Sequence, residues 1–135
     1  MYSLEELNNF FKEDLFATKL LGTKIVEVKE GYAKCQFEFK KDHQNALGNV
    51  MGGAIFTLAD FTFAVATNQY EDHNTVSTTA NVSFLRPGSG KYLYAEAIRV
   101  KDGKKVCFYD VNIYNDEEAL IARVNICGTH IAKNK

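Results

Sequence analysis

This 135-residue chain lacks several features that mark other classes of protein. It has no tryptophan, one proline and three cysteines, Cys35, Cys107 and Cys127, which are widely separated and contain no C-x-x-C pair. An odd, dispersed set of cysteines indicates neither a disulfide framework nor a zinc site, so we expect buried reduced thiols. No pair of histidines has metal-ligand spacing, and we therefore expect no bound metal.

The charge balance and the distribution of apolar residues exclude further classes. The formal net charge is −1 and 24% of the residues are charged, which gives no sign of a nucleic-acid or membrane partner. No apolar run reaches the ~18 residues that a membrane span needs. The first six residues, MYSLEE, lack the basic-then-apolar layout of a signal peptide. We therefore expect a cytoplasmic protein without a nucleic-acid or membrane partner.

The length and the apolar pattern predict a single domain that spans residues 1–135. Helical spacing of apolar residues predicts a short amphipathic helix within residues 4–21. Alternating patterns at 26–28 and 33–39 then predict a strand hairpin. A loop rich in asparagine and glycine follows at 42–53.

An apolar helix and four more strands complete the predicted fold. Residues 54–67 are apolar on nearly every side, which predicts a buried helix. Alternating runs at 76–84, 91–100, 106–114 and 120–131 predict strands that are separated by turns. This order predicts an α+β fold in which an antiparallel β-sheet wraps around a central buried α-helix. Because the sheet covers only one side of that helix, we expect a second copy of the domain to cover part of what remains, with the N-terminal helix as the alternative cover.

Asp60 is the one carboxylate in the predicted apolar helix. Carboxylates are seldom buried without a partner, and no arginine or lysine occurs between Lys41 and Arg86. One interpretation is that Asp60 faces water or caps a backbone group. The other is a carboxylate held in a cleft as a general base or nucleophile.

The start of the same helix offers a site for negative charge. The first amides of a helix, here near Gly52 and Gly53, have no partners within the helix. Gly53 shares a helix face with Asp60 but lies ~10 Å from it along the axis. If the amides and the carboxylate act on one atom, the two groups must come from different subunits.

The segment from Asn45 to Asp60 carries a resemblance to a known family. It reads N-x-x-G-x-x-M-G-G, followed by L-A-D, and resembles the loop and helix of PaaI-type (phenylacetyl-CoA thioesterase-like) hotdog thioesterases. The family pattern is an Asn, then His-Gly-Gly, then an Asp seven residues after the second Gly. The likeness continues through Val76-Ser77 and the NVSFLRP run at 81–87, so that it covers nearly the whole chain.

The resemblance implies a hotdog fold and an acyl-CoA thioesterase that releases a free acid and coenzyme A. No cofactor is implied, since coenzyme A is part of the substrate. Asp60 would act as general base or nucleophile, and the Gly52 amide of the partner subunit would polarise the thioester carbonyl. Asn45 would orient the water or the carbonyl, and Ser77 matches a position that holds the attacking water in some relatives. A homodimer, or a dimer of dimers forming a homotetramer, is implied as well.

Further residues are expected to contact the substrate. Met51 replaces the family's histidine, so a role of the imidazole is lost while the Gly52 amide remains. Met51 and Gly53 would border the substrate. Phe61 would line an acyl pocket, with core packing as its alternative role. Arg86 would meet the phosphates of coenzyme A, with an ordinary surface charge as its alternative.

Two other functions are alternatives to acyl-CoA hydrolysis. The Met51 replacement favours a non-catalytic acyl-CoA binding protein as the main alternative. A hydratase or dehydratase on the same fold is the third possibility, and it is disfavoured because such relatives use a catalytic histidine.

His43 is expected to be an exposed loop residue, and His73 a solvated residue of a turn.

Overall fold

The computed structural model describes residues 1–133. The elements, in chain order, are α1 (Leu4–Phe11), β1 (Lys24–Lys29), β2 (Tyr32–Glu38), α2 (Gly52–Thr67), β3 (His73–Phe84), β4 (Tyr92–Asp102), β5 (Val106–Asn115) and β6 (Leu120–Ala132). A π-helical turn at Phe16–Leu20 and a 3-10 turn at Lys41–His43 lie in the connections. The predicted order of helices and strands is confirmed, and the strand ends differ from the predicted ones by a few residues.

One antiparallel sheet wraps around α2. Its strand order is β1-β2-β4-β5-β6-β3, and α2 contacts all six strands. Small side chains, Ala33 paired with Ala97 and Cys35 paired with Ala95, are fully buried on β2 and β4. Small residues at such positions let a helix pack closely on a sheet. The predicted architecture, a sheet around a central helix, is confirmed.

The predicted N-terminal helix is interrupted. It starts with a capping box, in which the Glu6 N–H donates to Ser3 Oγ at 3.1 Å and the Ser3 N–H donates to Glu6 Oε1 at 3.0 Å. It ends at Phe11, although apolar spacing continues to Leu21. Phe11 and Ala17 are both buried, but six residues of regular helix would place them on different faces. The break allows both side chains to reach the core.

One strip of α2 remains open in the protomer. Gly53 and Asp60 are exposed, and Phe56, Thr57 and Ala64 are partly exposed, which places the strip along one helix face. This strip fits the expectation that the sheet covers only part of α2, and its cover by a second copy stays a prediction. The N-terminal segment covers a neighbouring part of α2, where the Phe11 ring meets the Phe61 ring edge-on at 5.5 Å.

β3 forms one edge of the sheet, and within residues 1–133 it pairs only with β6. Most of its residues are exposed on both faces, including Val76 and Phe84. An unpaired strand edge of this kind is a template for pairing with another chain.

The three cysteines differ in burial. Cys35 and Cys107 are buried and free, as predicted, whereas Cys127 is partly exposed, so the prediction of three buried thiols is wrong at that position. Among residues 1–133, no helix has both the length and the apolar character needed to cross a bilayer.

Candidate active site

Asp60 lies on the open strip of α2, where this strip meets β3. The Ser77 hydroxyl donates to Asp60 Oδ1 across a long 3.5 Å contact. Asp60 is exposed in the protomer, yet shielding by the surrounding protein raises its pKa. The Ser77 hydrogen bond lowers that pKa, and the negative charge of Asp14 raises it. Asp60 has no ion-pair partner within the described chain. The result is a carboxylate with increased affinity for a proton, which suits a general base.

A cavity of about 240 Å³ opens beside Asp60. Aromatic rings dominate its wall, and the lining residues are Asp14, Phe16, Ala17, Phe56, Thr57, Asp60 and Phe61. The carboxylate therefore stands at the edge of an apolar depression. This arrangement is typical of a small-molecule site, in which a few polar groups are set in a mostly apolar wall.

Cavity size alone does not identify the site. A larger depression of about 490 Å³ lies between α1 and Lys133, and Tyr2, Phe10 and Asn68 are among its lining residues. Its one carboxylate, Glu6, is held in the capping box. The Asp60 carboxylate, which is free of such a structural role, therefore marks the candidate site better than cavity volume does.

The first amides of α2 are free. Met51 is the N-cap residue, with an extended backbone (φ −62°, ψ 138°). Its carbonyl accepts from the Ala54 and Ile55 N–H groups, at 2.9 and 3.1 Å. The Gly52 and Gly53 N–H groups donate to no acceptor in residues 1–133. Two adjacent free amides at a helix start attract negative charge.

Asn45 shapes the loop that leads to these amides. Its Oδ1 accepts from the Leu47 N–H at 2.9 Å and from the Asn49 N–H at 3.0 Å. These two bonds fix the side-chain orientation, because the oxygen must face both donors. The Asn45 Nδ2 group makes no hydrogen bond within the described residues, so it is the atom that remains available to a ligand.

The turn after β3 lies against the start of α2. The Val50 N–H donates to the Gly88 carbonyl at 3.1 Å. The Phe84 ring covers Gly52, since a Cβ atom added there would lie 3.3 Å from Phe84 Cζ. Arg86, in the same turn, is exposed and makes no ion pair in the part of the chain that the structure describes. An available guanidinium thus lies on the turn beside the free amides.

These features fall into two groups, which we call the carboxylate half and the amide half. The carboxylate half consists of Asp60, Ser77 and the adjacent cavity. The amide half consists of Gly52, Gly53, Asn45 and the Phe84–Gly88 turn. Gly52 and Asp60 are eight residues apart on one continuous helix, or ~12 Å along its axis. A rigid helix keeps the two halves of one protomer from acting on the same atom.

Two further residues that were predicted to contact the substrate, Met51 and Phe61, differ in exposure. The Met51 side chain is 56% exposed at the helix start. Phe61 is only 3% exposed, because it packs on Phe11, yet it also lines the cavity. Core packing and pocket lining are therefore both observed for Phe61.

Both histidine predictions near the motifs are wrong. His43 is buried rather than exposed: its Nδ1 accepts from the Lys40 N–H at 3.1 Å, and its ring meets Phe37 edge-on. It holds the loop in place. His73 is half-buried rather than solvated, because its ring stacks on Tyr70 and its Nδ1 lies 2.8 Å from Asp72 Oδ1.

Asp14 and Phe16 were missed by the sequence analysis. They belong to the interrupted part of the N-terminal helix, and the break brings them to the Asp60 cavity. The charged pair Glu13-Asp14 within an apolar stretch was the only available signal, and it resembled an ordinary solvated turn.

Comparisons with known proteins identify the family of this chain. The thioesterase superfamily model matches residues 47–122. The Escherichia coli acyl-coenzyme A thioesterase PaaI is 33% identical over 77% of this chain and 74% of its own length. An Archaeoglobus fulgidus protein is 33% identical over 88% of this chain and 77% of its own. The solved E. coli PaaI structure superposes with a TM-score of 0.82 and 28% identity over 96% of both chains. The chain therefore belongs to the thioesterase superfamily, as a PaaI-type member with the hotdog fold.

Proposed function

We propose that this protein hydrolyses acyl-CoA thioesters at sites shared between two protomers. The observation that carries the proposal is Asp60, a carboxylate that has no cation partner among residues 1–133, contacts Ser77 and borders an aromatic cavity. The E. coli relative, 33% identical, is named an acyl-coenzyme A thioesterase. Each site would combine the carboxylate half of one protomer with the amide half of the other.

The chemistry follows from the two halves. Asp60 takes a proton from water as the water oxygen bonds to the thioester carbonyl carbon. The developing oxyanion accepts a hydrogen bond from the Gly52 N–H of the partner subunit, which is worth ~2.7–4 kcal/mol of transition-state stabilisation. The C–S bond then breaks and coenzyme A leaves as a thiolate, which needs little assistance from an acid. Direct attack by Asp60 on the carbonyl is the alternative first step.

Three observations support a homodimer as the working unit. β3 presents an unpaired edge, and α2 keeps an open strip centred on Asp60. The ~12 Å between Gly52 and Asp60 requires that an amide acting with Asp60 come from another chain. Pairing of two β3 edges would satisfy their backbone groups and bring the two α2 helices together.

The contacts of the amide half suit coenzyme A. Asn45 Nδ2 is available to the carbonyl or the water, and the exposed Arg86 would meet phosphate oxygens. Met51 leaves the Gly52 N–H intact, so the replacement of histidine does not remove the oxyanion donor. Phe16, Phe56 and Phe61 make the cavity wall aromatic, which favours aryl or medium-chain acyl groups.

Turnover is expected with a panel of acyl-CoA substrates. The purified protein should release free thiol, measured with a thiol-reactive dye, from aryl and medium-chain acyl-CoA. Saturable binding of these compounds without thiol release would reject hydrolysis and favour the acyl-CoA binding protein, the function that Met51 first suggested.

Replacing Asp14 by asparagine is expected to change the pH profile. Shielding by the protein is the main cause of the raised Asp60 pKa, and the Asp14 charge contributes to it. Among the described residues that line the cavity, Asp14 is the only other titratable group, and β3 contributes the neutral Ser77. Without the Asp14 charge the pKa of Asp60 falls, so the acidic limb of kcat/KM should move to lower pH.

The matched control for this variant is Glu13→Gln, which removes the neighbouring exposed carboxylate. It should leave the acidic limb in place. Identical limbs for Asp14→Asn and the unmodified protein would show that Asp14 does not influence the catalytic base.

A further inference from the structure

A second cluster of chemically reactive side chains lies on three adjacent strands. Asp102 ends β4, Cys107 is near the start of β5, and His130 is near the end of β6. One oxygen, the sulfur and one ring nitrogen of these residues all lie within 4.8 Å of one another. None of the three belongs to the carboxylate half or the amide half of the proposed active site.

A β-bulge in β4 turns Asp102 toward this cluster. Arg99 pairs with Tyr109, but Lys101 pairs with Phe108 and Asp102 with Cys107, so one extra residue lies in β4. Tyr109 and Cys107 are buried on the inner face, whereas Phe108 is exposed on the outer face. Without the bulge, Asp102 would point away from Cys107, since side chains alternate along a strand.

Hydrogen bonds fix the orientation of His130. Its Nε2 lies 2.6 Å from Asp102 Oδ1, and its Nδ1 lies 2.7 Å from the Thr75 hydroxyl oxygen. A metal-binding histidine typically uses one ring nitrogen for the metal and the other for such a hydrogen bond, which fixes the ring. The His130 side chain is 11% exposed and that of Asp102 is 37% exposed, so the cluster is reachable from solvent on the Asp102 side.

The Cys107 thiol is buried beside this pair. Burial raises its pKa to about 11, and the negative charge of Asp102 raises it as well. Burial therefore favours the neutral thiol over the thiolate. A cation with affinity for sulfur would reverse this preference, because binding a thiolate displaces the thiol proton.

We infer that Asp102, Cys107 and His130 form a binding site for a Zn²⁺-class cation. One oxygen, one nitrogen and one sulfur ligand suit Zn²⁺ or Co²⁺, with water in the fourth position, and the thiolate disfavours Mg²⁺ and Ca²⁺. On binding, the Cys107 thiol proton is released to solvent. The cation enters between Asp102 Oδ1 and His130 Nε2, which move apart.

This inference revises the expectation of no metal. That expectation considered spacing along the sequence, whereas the three ligands come from three strands that only the fold brings together. The site is independent of the proposed hydrolysis, because the Asp60 chemistry uses no metal.

Titration with Co²⁺ tests the site directly. The protein should bind one Co²⁺ per chain and develop a thiolate-to-cobalt charge-transfer band, which Zn²⁺ then abolishes by displacement. Cys107→Ser should lose this band. His130→Asn and Asp102→Asn should each weaken Co²⁺ binding by at least about tenfold. Because Asp102 is partly exposed, its variant tests the site even if Cys107→Ser fails to fold.

Cys127→Ser is the matched control. Cys127 pairs with the exposed Phe108, in the register of the outer face, so this variant should keep the charge-transfer band. A simple Asp102–His130–Thr75 hydrogen-bonded chain without metal affinity would give no band in the unmodified protein. That result, or a band that persists in Cys107→Ser, would overturn the assignment. Thiol release from acyl-CoA should be the same with and without a chelator.

Discussion

Replacing Asp60 by asparagine is expected to lower kcat/KM for acyl-CoA hydrolysis by ~10²-fold or more. The amide keeps the size of the side chain and its contact with Ser77, but it cannot accept a proton or attack a carbonyl. Of the carboxylates in the described part of the chain, only Asp14 borders the cavity beside Asp60. Steady-state thiol release, with acyl-CoA varied, measures the loss.

Asp110→Asn is the appropriate control for this experiment. Asp110 is a carboxylate on β5 that accepts from Asn125 Nδ2 at 2.7 Å and has no part in either half of the site. Its replacement should leave kcat/KM close to that of the unmodified protein. Unchanged turnover in Asp60→Asn would refute the proposed role of Asp60.

A single turnover in ¹⁸O-labelled water separates the two possible roles of Asp60. A general base directs the labelled water oxygen into the product acid in the first turnover. A nucleophile forms an anhydride, and hydrolysis at the Asp60 carbonyl leaves the label on the aspartate, where mass spectrometry of the peptide detects it.

The second large effect is expected from Gly52→Pro, which removes the proposed oxyanion donor. Loss of one such donor costs ~10²–10³-fold in kcat. Proline is compatible with the first position of a helix, and Met51 already has the extended backbone that a following proline requires. Gly52→Ala is the matched variant, because it adds a Cβ atom near Phe84 but keeps the N–H. It should retain far more activity than the proline variant.

Mixing the two inactive variants tests whether the halves come from different chains. In a mixed dimer of Asp60→Asn and Gly52→Pro, one site has both defects while the other combines the intact Asp60 with the intact Gly52. After random reassortment, half of the dimers are mixed and each holds one working site, so about a quarter of normal activity should return. If both groups acted within one chain, no activity would return.

Sedimentation provides the control for the mixing experiment. Each variant alone should sediment as the unmodified protein does, at a mass of at least two chains. A monomer at micromolar concentration would remove the shared site altogether.

The fold was predictable from the sequence where each element shows its own pattern. Alternation in β3 to β6 and the continuous apolar character of α2 predict both the elements and their assembly. The break after Phe11 was not predictable in this way. It depends on Phe11 and Ala17 being buried in the same core, which is a property of the assembled domain.

The candidate site was predictable only where the sequence resembles the family, and the catalytic roles of its residues stay predictions. The motif indicates Asp60, Gly52, Asn45 and Ser77, and the structure brings Ser77 to Asp60 from a different element. It does not bring Gly52 to Asp60 within the protomer. Asp14 carries no motif and reaches the cavity only through the interrupted helix.

The burial of His43 could not be predicted from the sequence either. Its loop contains polar residues and glycine, which predicts exposure. The structure instead packs the ring on Phe37, and the His43 carbonyl accepts from the Met51 N–H at 2.8 Å. The burial of one loop residue depends on tertiary contacts, which a local sequence pattern does not reveal.

The length of α2 between Gly52 and Asp60 has a consequence for how activity depends on protein concentration. In the proposed mechanism one chain carries both Asp60 and the Gly52 amide, but α2 holds them ~12 Å apart along its axis. We therefore expect an isolated chain to be inactive and hydrolysis to require a dimer. At high dilution the specific activity should fall with the fraction of chains that are dimeric. The rate of hydrolysis would then depend on the cellular concentration of the protein more steeply than in direct proportion.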